Sequence, residues 1–550
     1  MPTPTVGSFL FQYLYDQGIR HAFGIPGDFA LPTFRWLAKS PIELITMVHE
    51  PGVGFAADAY SRAHGGLGLA VVTYCVGGLN MLNAIAGAYA EKSPVIVVSG
   101  GPSPADRRHD PLVHHKVRTF DTQRRIYEEV TCASTVLLDP QTAADEIIRV
   151  VRAAKTQCRP GYIEVPFDVV DLPIGPASNR IEPAIESDGE NLAAAIAEAA
   201  ELIFRSQRPV IIADVELHRY GLTDLALGIA RRINIPIAST LLSKSIISES
   251  NPLFIGVYSG GVSAPECQAY VENSDCVILL GAFLTDVFMG MKTATLNRRQ
   301  TILANTERLT IGYHSYEHVR LDDFLRSLAQ QPIAPKKFEN PYKPALPQPL
   351  TDIQRGEPID ASAFFQILGL TMQQNATLVC DVGDALFGAI ELRTHGQADF
   401  LANAYYLSMG FAAPAIVGAA AAKPGSRVYA IIGDGAFQMT GTELSTCAKY
   451  RMKPIVCILN NDGYGTQRKI IDGPFNDIHR WEYAKFRDVL DYGGSVKVRT
   501  KGELERALLD AAATDAMFLI EVILPRDSAS EPMRRFAEAL SKLRDREKQA

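Results

Sequence analysis

The sequence predicts an α/β protein of three domains, each with a mainly parallel sheet covered by helices. Three observations carry that expectation. Short apolar runs recur without polar alternation at Leu69–Tyr74, Val95–Val98, Val210–Ala213, Val277–Leu280, Val428–Ile432 and Ile455–Leu459. Strands buried on both faces read this way, and helix-covered parallel sheets are built from such strands. Glycine-rich turns and helical stretches separate the runs. Finally, residues 171–190 and 331–358 are rich in proline, which resists both helix and strand. Taken as linkers, they leave domains at 1–170, 191–330 and 359–550.

In the first domain, 69–98 reads strand, Gly-Gly turn, helix, Glu-Lys-Ser-Pro, strand. The third domain repeats that grammar at 428–459, with Gly-Asp-Gly as the turn and Arg-Met-Lys-Pro before the second strand. A shared origin of the two domains would explain the echo, and so would the frequency of the unit. The middle domain looks Rossmann-like but has no intact GxGxxG, so no bound dinucleotide is expected.

Composition narrows the function. A net charge of −7 with no long basic stretch argues against a nucleic-acid partner. Eight single cysteines with no CxxC pair fit reduced thiols and a cytoplasmic location better than disulfides or zinc. The charge-free stretches 65–90 and 400–422 are long enough for membrane spans, but Asn80, Asn83, Asn403 and Pro414 favour buried soluble units. No secretion signal is expected from the N-terminal MPTPTVGSF.

The sharpest chemical signal is Gly433-Asp434-Gly435, followed after a helix and a strand by Asn460-Asn461. A carboxylate at a strand's C-terminal end can hold a hard cation, and magnesium shares its oxygen ligands with phosphate and water. Gly435 lets the backbone approach a phosphate, and a helix starting near Ala436 points N–H groups at the anion. Asn461 adds a neutral oxygen, and Gly463 a backbone carbonyl. Taken alone, the Gly-Asp-Gly is equally a tight turn.

On these motifs the chain resembles the thiamine-diphosphate-dependent 2-oxo acid decarboxylases. The similarity extends through GIPGDFALP at 24–32, HEPGVGFAADA at 49–59, NAIAGAYAEKSPV at 83–95 and GDGAFQMTG at 433–441. It implies a pyrimidine-binding first domain and a diphosphate-binding third domain. Asp434, Asn461 and the Gly463 carbonyl become magnesium ligands, and Gly433, Gly435 and Ala436 cofactor contacts. Asp384 and Leu407 also match cofactor-contacting positions, and Met409 the apolar residue that folds the cofactor into a V. Glu50, otherwise an acid in a helix's first turn, becomes the carboxylate that activates the cofactor through its aminopyrimidine ring. His114 and His115, otherwise surface histidines, join Asp28 as active-site proton carriers.

One departure bears on substrate. Pyruvate decarboxylases carry a catalytic glutamate beyond the Asn-Asn pair, and the matching residue here is Gln467. Bacterial phenylpyruvate decarboxylases, which resemble this chain in lacking that glutamate, offer Asp286 as the substitute acid, expected at the end of a middle-domain strand. Thr73, Phe387, Tyr464, Gln467 and Phe536 are candidate pocket walls. Phe536 sits on an amphipathic stretch, 532–543, that either caps the site or packs on the third domain. The resemblance implies non-oxidative decarboxylation of aromatic or long aliphatic 2-oxo acids, with sites between subunits in a dimer of dimers. A carboligase sharing the same chemistry, and a decayed cofactor-binding regulator, remain alternatives.

Overall fold

A computed structural model describes residues 3–178, 186–340 and 349–549. Parts of both expected linkers, residues 179–185 and 341–348, lie outside the described residues.

Among the described residues nineteen strands form three sheets. The first contains β1 (His21–Gly24), β2 (Glu43–Thr46), β3 (Gly68–Val72), β4 (Val95–Gly101), β5 (Ala133–Val136) and β6 (Gly161–Pro166). The second contains β7 (Pro209–Ala213), β8 (Ile237–Ser239), β9 (Phe254–Val257), β10 (Cys276–Leu280), β11 (Thr301–Ala304), β12 (Leu309–Ile311) and β13 (His314–Tyr316). The third contains β14 (Thr377–Cys380), β15 (Asp399–Ala402), β16 (Val428–Gly433), β17 (Ile455–Asn460), β18 (Gly494–Val498) and β19 (Phe518–Ile523). Every pairing in the first and third sheets is parallel, and only β12 and β13 add antiparallel edges to the second. Each of the six apolar runs supplies a strand. The first stops at Val72 rather than continuing to Tyr74.

The echo between the outer segments extends to whole sheets. The first runs β2-β1-β3-β4-β6-β5 and the third β15-β14-β16-β17-β19-β18, the same order strand for strand. Corresponding strands also place corresponding turns. Asp28 lies four residues beyond the end of β1, and Asp384 four beyond the end of β14, each after a glycine. Ligand-binding residues at strand C-terminal ends are the general habit of such sheets.

The outer sheets meet through two apolar helices, Glu50–His64 and Ala412–Ala422. Gly418 makes their close approach possible, because a Cβ there would strike the Ala56 carbonyl. Their residues share one continuous core with both sheets. The charge-free stretches are therefore interior strands and helices, and among the described residues no helix is long and apolar enough to cross a membrane. All eight cysteines are free thiols, seven of them buried.

Two adjacent residues in the Glu-Lys-Ser-Pro turn tie the domains together. Glu91 turns to the third domain, where its carboxylate accepts the Tyr405 and Tyr406 N–H groups at 2.7 and 2.9 Å. It also pairs at 2.7 Å with Arg62, which bonds Asp58 at 2.7 Å and the Ala402 carbonyl at 2.9 Å. Lys92 turns the other way, pairing with Glu216 of the middle domain and donating to Thr306 at 2.9 Å. Arg62, Glu91, Lys92 and Glu216 are all buried, so each charge depends on its partners.

Candidate active site

The strongest sequence motif lies where two neighbouring strands end. Gly433 closes β16, and Asp434 opens the helix Asp434–Thr440, two residues before the expected start near Ala436. The Asp434 carboxylate is buried and accepts the Gly435 N–H at 2.8 Å and the Gly463 N–H at 3.0 Å. Burial pushes its carboxyl up to about 6, against those backbone donors. Among the described residues no lysine, arginine or histidine pairs with it. A buried carboxylate with backbone donors and no cation fits a site for a metal ion.

A cleft opens beside it. Its walls include Gly433, Gly435, Asn461, Tyr464, Gln467 and Met409, with Asp384, Ala436 and Gly463 also on its surface. A Cβ at Gly433 would meet nothing within 4 Å, so that backbone faces open space. At Gly435 a Cβ would lie 2.5 Å from the Tyr464 ring, so glycine is what lets the ring close over the turn. These features fit a diphosphate approached by backbone, with its metal on Asp434 and Asn461. The Gly463 carbonyl accepts the Gly465 N–H at 2.9 Å, with its second lone pair left for a metal.

Other predicted cofactor residues surround this cleft in different ways. Asp384 starts a short helix, and its carboxylate takes both the hydroxyl and the N–H of Ser530, the latter at 2.9 Å. It thereby fastens the start of the last helix, Glu531–Gln549, beside the cleft. Leu407, held in a left-handed conformation at φ 57°, lies two residues before Met409 and packs on the middle- and third-domain core. Phe387 and Phe536 lie behind the surface, buried with ring centroids 4.2 Å apart. Met533 and Thr466 form the adjoining wall, which the sequence reading did not name.

The first domain assembles a second group. Asp28 bonds His114 and stands 3.8 Å from His115 Nδ1. The histidine rings pack edge to face at 4.7 Å, and Phe29 stacks on His114 at 5.0 Å. Partial burial would raise the Asp28 carboxyl, but the His114 hydrogen bond, the Phe29 N–H and both imidazoles outweigh it and hold it below the usual carboxylate range. Thr73 abuts Gly27, where a Cβ would lie 2.6 Å from its own. The Thr73 hydroxyl and His115 Nδ1 are buried without a protein hydrogen-bond partner, leaving two polar atoms available in one group.

Glu50 adjoins the same group through Gly77, whose Cβ would touch both Thr73 and Glu50. It opens the helix Glu50–His64, and its carboxylate accepts from Asn80 Nδ2 at 2.7 Å. Asn80 also lies 2.9 Å from His49 Nε2. In the sequence Asn80 stands out only as a polar residue unsuited to a membrane; Gly77 and Gly78, expected as a turn before the helix, lie inside the first turn of the helix Val76–Ala90, and the place of Asn80 one turn into it was the available signal.

The two groups do not share a cleft within one chain: no first-domain residue lines the one beside Asp434 among the described residues. Asp286 joins neither group. The expectation that it ends a strand is corrected, because β10 stops at Leu280 and Asp286 lies in the following turn, exposed, capping the Val287 N–H at 2.9 Å.

Comparison with known proteins converges on one family. Residues 4–123 match the thiamine pyrophosphate enzyme N-terminal TPP binding domain, 196–326 its central domain and 374–522 its C-terminal TPP binding domain. An indole-3-pyruvate decarboxylase of Azospirillum brasilense is 37% identical over 539 residues, covering 97% of this chain and 98% of the relative. An alpha-keto-acid decarboxylase of Mycolicibacterium paratuberculosis is 30% identical, covering 96% and 94%. Pyruvate decarboxylase 4 of Arabidopsis thaliana is also 30% identical, covering 96% and 90%.

Proposed function

The chain belongs to the thiamine pyrophosphate enzymes that decarboxylate 2-oxo acids, and from that premise we propose that it acts on aromatic or long aliphatic 2-oxo acids, binds its cofactor through magnesium and completes each active site between two copies of itself. The protein is a thiamine-diphosphate-dependent carboxy-lyase that forms carbon dioxide and an aldehyde from a 2-oxo acid.

The observation that carries this reading is the buried Asp434 carboxylate, with no cationic side-chain partner among the described residues, at the edge of a glycine-walled cleft. Asp434, Asn461 and the Gly463 carbonyl would hold magnesium there, and the N–H groups at the start of helix Asp434–Thr440 would face the diphosphate. Bound in this cleft, the cofactor supplies a ring that takes up the electron pair left as carbon dioxide departs.

The chain's own side chains supply the proton work. Glu50, oriented by Asn80, would hold and return a proton at the aminopyrimidine nitrogen. Asp28, His114 and His115 would deliver a proton to the carbon that lost its carboxylate. Met533 and Tyr464 would exclude water from the reacting carbon. Because the Glu50 group and the Asp434 cleft lie apart within one chain, a second copy is what would bring them onto one cofactor. Pairing of dimers into a tetramer, and a cytoplasmic setting, complete the proposal.

Three features support a large substrate. Gln467 stands where a catalytic carboxylate would favour the pyruvate-type arrangement, Met533 offers an adaptable wall, and the 37% identical relative is named for indole-3-pyruvate. Asp286 would serve as the substitute acid only after movement of its exposed turn.

The test is aldehyde formation by the purified protein with magnesium and thiamine diphosphate, across phenylpyruvate, indolepyruvate, branched and straight 2-oxo acids and pyruvate. Higher kcat/KM for the aromatic or long members is expected. A preference for pyruvate would overturn the substrate proposal, and failure of turnover without magnesium-group ions is the expected metal result.

A further inference from the structure

Glu443 is a carboxylate that neither the metal site nor the proton relay uses. It ends the turn Gly441–Glu443 that continues the helix from Asp434, and it is only 1% exposed. Rather than facing its own sheet, it reaches the first domain. Its Oε1 accepts the His49 N–H at 3.0 Å and its Oε2 the Val48 N–H at 3.2 Å, with Thr446 donating at 3.4 Å.

Those two N–H groups immediately precede Glu50. The helix they lead into has no side-chain cap from its own N-cap residue, His49, and Pro51 contributes no N–H to its first turn. Glu443 therefore does what a cap does, from another domain, beside the positive end of the helix. Gly52 makes the approach possible, because any Cβ there would overlap the Glu443 carboxylate. Two restraints thus meet at Glu50: Asn80 holds its carboxylate and Glu443 holds its backbone.

We propose that Glu443 is a positioning residue that sets where Glu50 presents its carboxylate to the cofactor. The proposal rests on the activating role of Glu50 given above. Burial pushes the Glu443 carboxyl up to about 7, opposed by the two backbone donors and aided by the nearby Glu50 charge, so the contact persists against a desolvation cost. A group kept at such cost and aimed at a single loop is a positioning device rather than a general staple.

Two measurements test it with Glu443→Gln, Glu443→Ala and Gly52→Ala, the last displacing the carboxylate from the opposite side. In the cofactor-free protein, amide hydrogen exchange at Val48 and His49 should quicken in all three while the strands of the third sheet keep their protection. With cofactor and magnesium bound and no substrate, exchange of the cofactor's C2 proton, read by NMR after acid quench, should slow about tenfold or more in Glu443→Ala and less in Glu443→Gln, with cofactor affinity held within about threefold. C2 exchange at the wild-type rate per bound cofactor in these variants would overturn the proposal, as would a loss of cofactor affinity with that rate unchanged. Where Glu443→Ala fails to fold, Glu443→Gln and Gly52→Ala decide. Wild-type protein without cofactor-dependent C2 exchange would instead sink the reading of Glu50 itself, and this proposal with it.

Discussion

At the scale of single residues, the candidate site consists of charges whose environments assign them different work. Asp434 is buried with no cationic side chain beside it among the described residues, whereas Asp28 is half exposed between two imidazoles, and their carboxyls are displaced in opposite directions. Replacing Asp434 with Asn removes the charge but little volume, so magnesium-dependent cofactor binding should weaken by about tenfold or more in calorimetry. Glu50→Gln should lower kcat by roughly a hundredfold or more while the cofactor still binds, because only the proton function is lost. Asn80→Ala removes the 2.7 Å bond to Glu50 and should reduce kcat/KM by roughly ten- to a hundredfold, the worth of one hydrogen bond to a charged group. The placement of Asp434 and Asn461 at strand ends was legible from sequence because each directly follows an apolar strand in a short motif. Asn80 and Glu443 were not, because what matters is their partner. The Glu443 contact joins residues 394 positions apart, and no local pattern encodes that.

At the scale of elements, strands were the most readable feature, since burial on both faces leaves an uninterrupted apolar signature. Loops were the least. Asp286 looked like a strand terminus because the apolar run fades gradually through Ala282 and Phe283, yet backbone pairing stops at Leu280. The sequence of the last helix suits either a cap or a surface element, and Asp384 shows how it is fastened: through Ser530, immediately before its first turn. Ser530→Ala should quicken amide exchange across residues 531–543 while leaving the β16 and β17 amides protected. A buried carboxylate elsewhere gives a pH signature. Asp214 in the middle domain is pushed up to about 6 by burial, although Thr240 and the Val215 and Phe283 N–H groups oppose the rise. Between about pH 4 and 6 the folded chain keeps a proton that an unfolded aspartate has released, so this group's contribution falls as pH rises through that window. Urea midpoints should therefore move in favour of Asp214→Asn, relative to wild type, as pH climbs from 4 to 7.

At the scale of the whole molecule, buried charges cross the boundaries between the three sheets and join them. Lys92→Ala would leave Glu216 buried with, among the described residues, only the Thr306 groups as hydrogen-bond partners, and a loss of about 3–5 kcal/mol is expected in chemical denaturation. The Glu-Lys-Ser-Pro turn was visible in the sequence as a repeated punctuation mark, but its role as a two-way clasp depends on what the other domains present.

The separation of the Glu50 group from the Asp434 cleft has a genetic consequence. If each working site takes one group from each of two chains, two inactive variants can repair one another. A chain carrying Glu50→Gln and a chain carrying Asp434→Ala each have little activity alone, yet a mixed pair contains one site built from the two undamaged groups. Random pairing at equal expression makes half the pairs mixed, so co-expression should restore about a quarter of wild-type turnover. A single chain carrying both substitutions, expressed beside the wild type, leaves its mixed pairs with no intact site and should act as a dominant inhibitor.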